Sequence, residues 1–376
     1  MTPSLHASVP LRIAASVFLV GWLIVAAFPL FWIAALSFKV PLDAFSTNPL
    51  DVVLGPRTAA AHGGISAKDL IIVGFIAIAT GLIFRQPIPV RGKIIRLVAC
   101  FAIAVVALPQ VMKLFDDFFN RPIFGITWEH YYEVWVSHAF YRQFINSAIV
   151  TAGVVCVSLT AGTLAGYALA RTSTALAFWL LIAALVFRAL PHSVLLAGYL
   201  PTLVGSQAIL APLWNWPATG WFFHLFTPEA PTLYGRILPV ILVLVSINQP
   251  FTIWMLRSFF STIPVELDEA AQVDGCTPLQ AFRQVIMPVM WPGVITTGLF
   301  SFLLAYNDYL VTSLLLDQQS QTMVPAIAQF LNSENSAADQ IQAIAAAVSI
   351  TAPLFLLVMV FQRQIVSGLT AGAVKG

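Results

Sequence analysis

The chain has 376 residues, 59% of them hydrophobic and only 9% charged, with a formal net charge of +2. Soluble domains carry about 25% charged residues, so the composition describes an integral membrane protein rather than a soluble enzyme or binding module. So small a net charge gives no sign of a nucleic-acid partner, which needs clustered cations.

A membrane-crossing helix needs about 20 mostly apolar residues. Candidate runs are 11–36, 70–84, 94–114, 142–170, 175–200, 237–260, 290–316 and 341–361. Nothing shows the short alternating segments of a barrel. The fold class is therefore all-α, because helices satisfy their own backbone in lipid. The first run is longer than a signal-peptide core and lacks a small-x-small exit, so it reads as a retained span. The second run, LIIVGFIAIATGLIF, is short. Behind it, RQPIPVRGKIIR places Arg85, Arg91, Lys93 and Arg96 in one short loop. Such a cation cluster marks a cytoplasmic face. If 70–84 and 94–114 both cross, there are eight spans and both termini are cytoplasmic; this is the expectation. If neither crosses, the downstream orientation is the same and the cluster lies outside. Either way 261–289 is cytoplasmic, while 37–69, 115–141, 201–236 and 317–340 face outward. LWNWPATGWFFHLF (213–226) reads as an aromatic anchor at the membrane interface or as a docking surface for an extracytoplasmic partner.

One polar stretch interrupts the apolar runs: ELDEAAQVDGCTPLQAFRQVIMP, residues 266–288. Pro264 suits a first helical position, and 265–273 reads as a short helix with Glu266, Asp268 and Glu269 at its dipole-favoured start. Gly275 supplies a left-handed cap. Thr277, Pro278 and Gln280 then spell a capping box for a second helix. This second helix runs to Met287, where Pro288 discourages continuation. Small Ala270 and Ala271 allow close approach of another surface, and Glu269 and Asp274 can pair with it. A helix resting on lipid would be rich in Lys and Arg on its polar face; this one starts acidic.

The stretch resembles the coupling loop of the permease subunits of binding-protein-dependent ABC importers. That pattern is Glu-Ala-Ala, three residues, Gly, nine residues, then Ile-x-Leu-Pro. Here it reads Glu269-Ala270-Ala271, Gly275 and Val285-Ile286-Met287-Pro288, with Cys276 where Ala is frequent. FINSAIVTAGVVCVSLTAGTLAGYALAR (144–171) and FPLFWIAALSFK (28–39) are similar to other spans of the family, and the tail QRQIVSGLTAGAVKG (362–376) to sugar-type permeases related to the maltose permease. The resemblance covers about 11–45 and 125–376. It implies a core of six helices as in type I ABC importers, here with two extra spans in an insertion over 46–124. It also implies a multi-pass protein of a bacterial cytoplasmic (inner) membrane that moves a carbohydrate by alternating access. The implied partners are an ABC ATPase dimer, a second permease subunit and an extracytoplasmic solute-binding protein. The segment 264–288 would be the coupling helix seated in the ATPase. No phosphate-binding loop is present in the sequence, so ATP hydrolysis would belong to a partner, and no cofactor is implied.

Polar groups inside the spans are costly and so informative. Arg188 lies within LLIAALVFRALPHSV and serves either a pathway or a structural pairing. Tyr306-Asn307-Asp308-Tyr309 falls where sugar-type permeases carry an aromatic-Asn-acid-aromatic group; it lines a sugar pathway or makes interhelical hydrogen bonds. Asn248, with Gln249 before Pro250, marks a kink or a site. The six histidines form no metalloprotease motif, and Cys100, Cys156 and Cys276 have no metal or disulfide spacing. The competing readings are an importer of a non-sugar solute, a non-transporting membrane scaffold, and a secondary transporter or channel without an ATPase; the last predicts inverted repeats that the sequence does not show.

Overall fold

The computed structural model describes residues 9–85, 90–112, 122–332 apart from 173, 219, 226 and 228, and 336–371. Within α3 and its flank the side chains of Arg85, Arg91 and Lys93 lie outside the described residues, as does the tail beyond 371. The chain divides into two compact units, 1–138 with 330–349, and 139–329 with 350–376.

In the first unit, α1 (Val9–Ser37) is a single 29-residue apolar helix. A small polar subdomain follows. Its short helices, Pro41–Ala44, Pro49–Leu54 and Pro56–His62, each begin with proline. Proline fits there because its fixed φ is helical and its missing N–H is not needed in the first turn. Buried Asp43 accepts from the Thr58 amide at 2.6 Å and from its hydroxyl at 2.8 Å. Lys39 is also buried and donates to the Gly125 carbonyl. Burial lowers the Lys39 pKa from its ordinary value, against the opposing field of Asp43. β1 (Gly64–Ser66) pairs antiparallel with β2 (Pro122–Gly125). Between these strands the chain runs through α2 (Ala67–Arg85) and α3 (Val90–Ala102), the latter continuing through a π-helical turn to Met112. The excursion thus leaves and re-enters one two-stranded sheet.

The second unit is built on α4 (Tyr141–Arg171), which packs along α7 (Ile237–Phe260) and α10 (Met287–Tyr306). Small residues permit the close crossing: a Cβ on Gly166 would lie 3.0 Å from the Leu256 side chain. Such contacts drive helix association in lipid, where no hydrophobic gradient separates helix from solvent. One apolar cluster joins Val150 and Val154 to Leu196, Val240, Leu244 and Val311. A second, of Leu256, Phe260, Ile263, Ile286 and Met290, sits where α7 hands over to the polar stretch. The last helix, α11 (Ala337–Ala371), is tied to α10 within this unit by Tyr306 Oη donating to the Ile350 carbonyl at 2.8 Å.

Among the described residues six helices are long and apolar enough to cross a membrane, and a bent pair makes a seventh. The expected eighth, 94–114, is helical over its described part, which ends at Met112, but its apolar part is Ile94–Val106, about 20 Å at 1.5 Å per residue against a hydrocarbon core of about 30 Å. The run 175–200 is not one continuous span. It breaks by 90° between α5 (Ala175–Arg188) and α6 (His192–Val204). Pro191 is the cause, since it lacks the N–H owed to the Phe187 carbonyl and its ring clashes there.

Candidate coupling site and the polar groups of the spans

The polar stretch folds as helix, glycine turn, helix. α8 (Glu266–Val273) starts after Val265, with Glu266, Asp268 and Glu269 in its first turn. Gly275 has φ +89° with open space around its α-carbon, so the position needs glycine for its backbone and not for room. The Gly275 amide returns to Gln272 and the Cys276 amide to Ala271, both at 3.0 Å, closing the carbonyl end of α8. The capping box forms: the Thr277 amide donates to Gln280 Oε1 at 2.8 Å and the Gln280 amide to Thr277 Oγ1 at 3.4 Å. The second helix does not stop at Pro288. From α9 (Pro278–Ala281) it passes through a π-helical turn, Phe282–Ile286, straight into α10. Pro288 cannot donate to the Gln284 carbonyl, and the widened turn absorbs that mismatch. The polar stretch is therefore a rigid continuation of a membrane helix.

One face of α8 is bolted to α4. Asp268 is buried, with Oδ2 2.7 Å from both Nε and Nη2 of Arg171. Tyr167 Oη donates to Asp268 Oδ1 at 2.6 Å. Arg171 Nη1 also reaches the Phe260 and Ile263 carbonyls at 3.4 and 3.2 Å. Tyr167 and Arg171 stand one turn apart, so both point to the same partner. The Tyr167 ring packs on Phe282, 4.7 Å between centroids. The motif YALAR and the acidic start of α8 are each visible in the sequence, but their pairing across 97 residues is not. Ala271 belongs to this inward face and is buried, so it packs within the chain instead of offering itself to another surface with Ala270. The opposite face is open: Glu269, Ala270, Asp274 and Gly275 are exposed, as is Pro288. Between them stand two bare apolar side chains, Val273 at 86% and Leu279 at 70% exposure, a pattern expected of a docking surface.

Residues 158–370, more than half of the chain, match the family of binding-protein-dependent transport system inner membrane components. The chain belongs to that family. The trehalose transport system permease protein SugB of Mycobacterium tuberculosis is 34% identical over 67% of this chain and 83% of its own length. The diacetylchitobiose uptake system permease protein DasC of Streptomyces coelicolor is 34% identical over 67% and 82%. The sulfoquinovosyl glycerol transport system permease protein SmoH of Agrobacterium fabrum is 28% identical over 76% and 95%. A solved bacterial ABC transporter involved in alginate import shares the fold at a TM-score of 0.51 and 15% identity, covering 95% of this chain and 98% of that one. This permease is accordingly a multi-pass membrane component of a binding-protein-dependent transport system.

The polar residues inside the permease fall into two groups. Asn248 is buried and donates to Ser301 Oγ at 2.8 Å, joining α7 to α10. Tyr306 is buried and bonds to α11, with its ring stacked on Phe302 at 5.0 Å. Asn307 donates to the Leu303 carbonyl of its own helix, and Asp308 Oδ1 accepts from the Thr312 amide at 2.9 Å. These four make interhelical or local bonds. Arg188 instead lines a cavity of about 220 Å³ bounded by Phe187, Arg188, His192, Tyr199, Ser246 and Pro250, which none of the four borders.

Proposed function

We propose that this permease is a transmembrane subunit of an ATP-driven importer that carries a carbohydrate across the cytoplasmic membrane. The observation that carries the reading is the two-faced α8, anchored through Asp268 to Arg171 and exposing Glu269, Ala270, Val273 and Leu279. A loop bolted to one membrane helix and continuous with another transmits force. Residues 264–288 seat in a cleft of a cytoplasmic ATPase. Glu269 meets a cation there, and Val273 and Leu279 bury apolar surface.

ATP binding closes an ATPase dimer, the loop moves as a lever, and the spans shift between inward- and outward-facing states. A second, non-identical permease completes the pathway, and an extracytoplasmic solute-binding protein delivers the sugar. The carbohydrate assignment draws on the names of the relatives, which refer to trehalose, diacetylchitobiose and sulfoquinovosyl glycerol. Purifying the tagged chain from its native membrane in mild detergent tests the assembly. An ATPase and a second permease should co-elute, and Val273→Asp should strip the ATPase from the membrane pair. A chain that elutes alone under every mild condition contradicts the proposal.

A further inference from the structure

A helix broken at membrane depth leaves backbone groups without partners, and such breaks persist only where protein packs over them or a wet cavity takes them in. The 90° break between α5 and α6 opens on the cavity of about 220 Å³ that holds Arg188. Among the described residues Arg188 is a cation without a counter-ion. No ion pair recorded among the described residues includes it, and its Nη1 is buried with no hydrogen-bond partner. Its guanidinium lies 4.4 Å from the Phe251 ring centroid. That contact covers one face of the fork and satisfies none of its five N–H donors. A structural arginine in lipid should be paired, so this one is held ready for an acceptor that arrives from outside.

The neighbouring groups suit the same acceptor. α6 is 13 residues long and begins at His192 with no side-chain cap, so its leading amides keep the positive end of the helix dipole. Tyr199 Oη and Ser246 Oγ, 3.0 Å apart, belong to residues that also line the cavity. Pro250 has no N–H for the Ser246 carbonyl, which frees an acceptor beside them. The acid whose field reaches His192 is Asp308, but its Oδ1 is bonded to the Thr312 amide and it does not line the cavity.

We propose that this cavity is an anion subsite of the transport pathway, in which Arg188 holds the carboxylate or sulfonate of an acidic sugar. Tyr199 and Ser246 bond ring hydroxyls, and the volume admits one ring and its acidic group rather than an oligosaccharide. The proposal rests on the importer reading above and specifies its substrate class. An anionic lipid headgroup offers the same oxyanion, so the test must separate the two sources.

The intact importer complex, in phosphatidylcholine nanodiscs, is examined by saturation-transfer NMR with methyl β-D-glucuronide and neutral methyl β-D-glucoside as probes. The glucuronide should bind at least tenfold more tightly. Arg188→Gln should erase that preference and Arg188→Lys retain part of it, with size-exclusion profiles reporting intact assembly of both variants. Equal binding of the probes, or a preference that survives Arg188→Gln, overturns the proposal. Loss of glucuronide binding when phosphatidylglycerol is added to the discs overturns the sugar assignment in favour of a lipid. The two readings fail separately. Absent ATP-driven uptake contradicts the importer, whereas uptake with no preference between the probes contradicts only the subsite.

Discussion

Replacing Asp268 by alanine is the sharpest test of how the loop is held. The substitution removes the acceptor for Arg171 Nε and for Tyr167 Oη, and the counter-ion of the Arg171 guanidinium. Breaking a buried ion pair from one side costs about 3–5 kcal/mol, because the remaining charge stays buried. Arg171 keeps its bonds to the Phe260 and Ile263 carbonyls, so the lower end applies. About 3 kcal/mol is roughly a hundredfold in the population of a locally opened loop, at 1.36 kcal/mol per tenfold. Hydrogen exchange on the purified complex reads that population directly. The amides of Asp274, Gly275 and Cys276, which close the end of α8, should lose about two decades of protection. Those of Val243 and Leu244 in the core of α7 should not change. Arg171→Gln should loosen the loop similarly, and the double variant should cost less than the sum of the two. Unchanged exchange at 274–276 in Asp268→Ala would refute the anchoring argument, since the loop would then be held by packing alone.

Three further outcomes follow from the geometry. Gly275→Ala meets no clash but must adopt φ +89°, so it should destabilise the turn by about 1–2 kcal/mol, seen as roughly tenfold faster exchange in 270–276. Asn248→Ala leaves Ser301 without its donor in a buried site, at about 1–3 kcal/mol. The complex should melt several degrees lower, while its choice among sugars is unaltered if the bond is structural. A cysteine placed at position 92 should be labelled by a membrane-impermeant maleimide only after the cytoplasmic face is opened. Labelling from intact cells would overturn the cytoplasmic placement of that cation-rich loop.

Local rules carried the polar stretch a long way. Thr277 with Gln280 and the lone Gly275 announce their structures from adjacent residues, because caps and positive-φ turns are decided within a few positions. The outcome at Pro288 differed because a proline in the first turn of the next segment is tolerated, and a π-helical turn upstream absorbed the lost bond. Asp268 was hidden for the opposite reason. Its acidic character suits a helix start, so nothing local distinguishes it from Glu269, and only the fold brings Arg171 to one of them. The same holds for Ala270 and Ala271, alike in sequence but separated by helical phase into an exposed and a buried face.

Among the spans, hydropathy located the apolar runs but not their geometry. The run 175–200 reads as one helix by composition, while Pro191 divides it and turns Arg188 from a mid-span oddity into a residue at the rim of a break. Asn248 and Tyr306 show the converse. Polar type alone leaves a pathway role open, and their partners in the fold, Ser301 and the Ile350 carbonyl, lie on neighbouring helices.

The central claim is that the exposed face of α8 couples transport to an ATPase on a separate chain. The most direct measurement is ATP-driven uptake by proteoliposomes holding the complete importer, comparing wild type with Glu269→Lys at equal incorporation. Glu269 is exposed and outside the Asp268 anchor, so the fold and the thermal melt should survive. The account predicts that uptake falls by at least tenfold while the ATPase chains still hydrolyse ATP, now without transport. Uptake at the wild-type rate by a correctly assembled Glu269→Lys complex would contradict it.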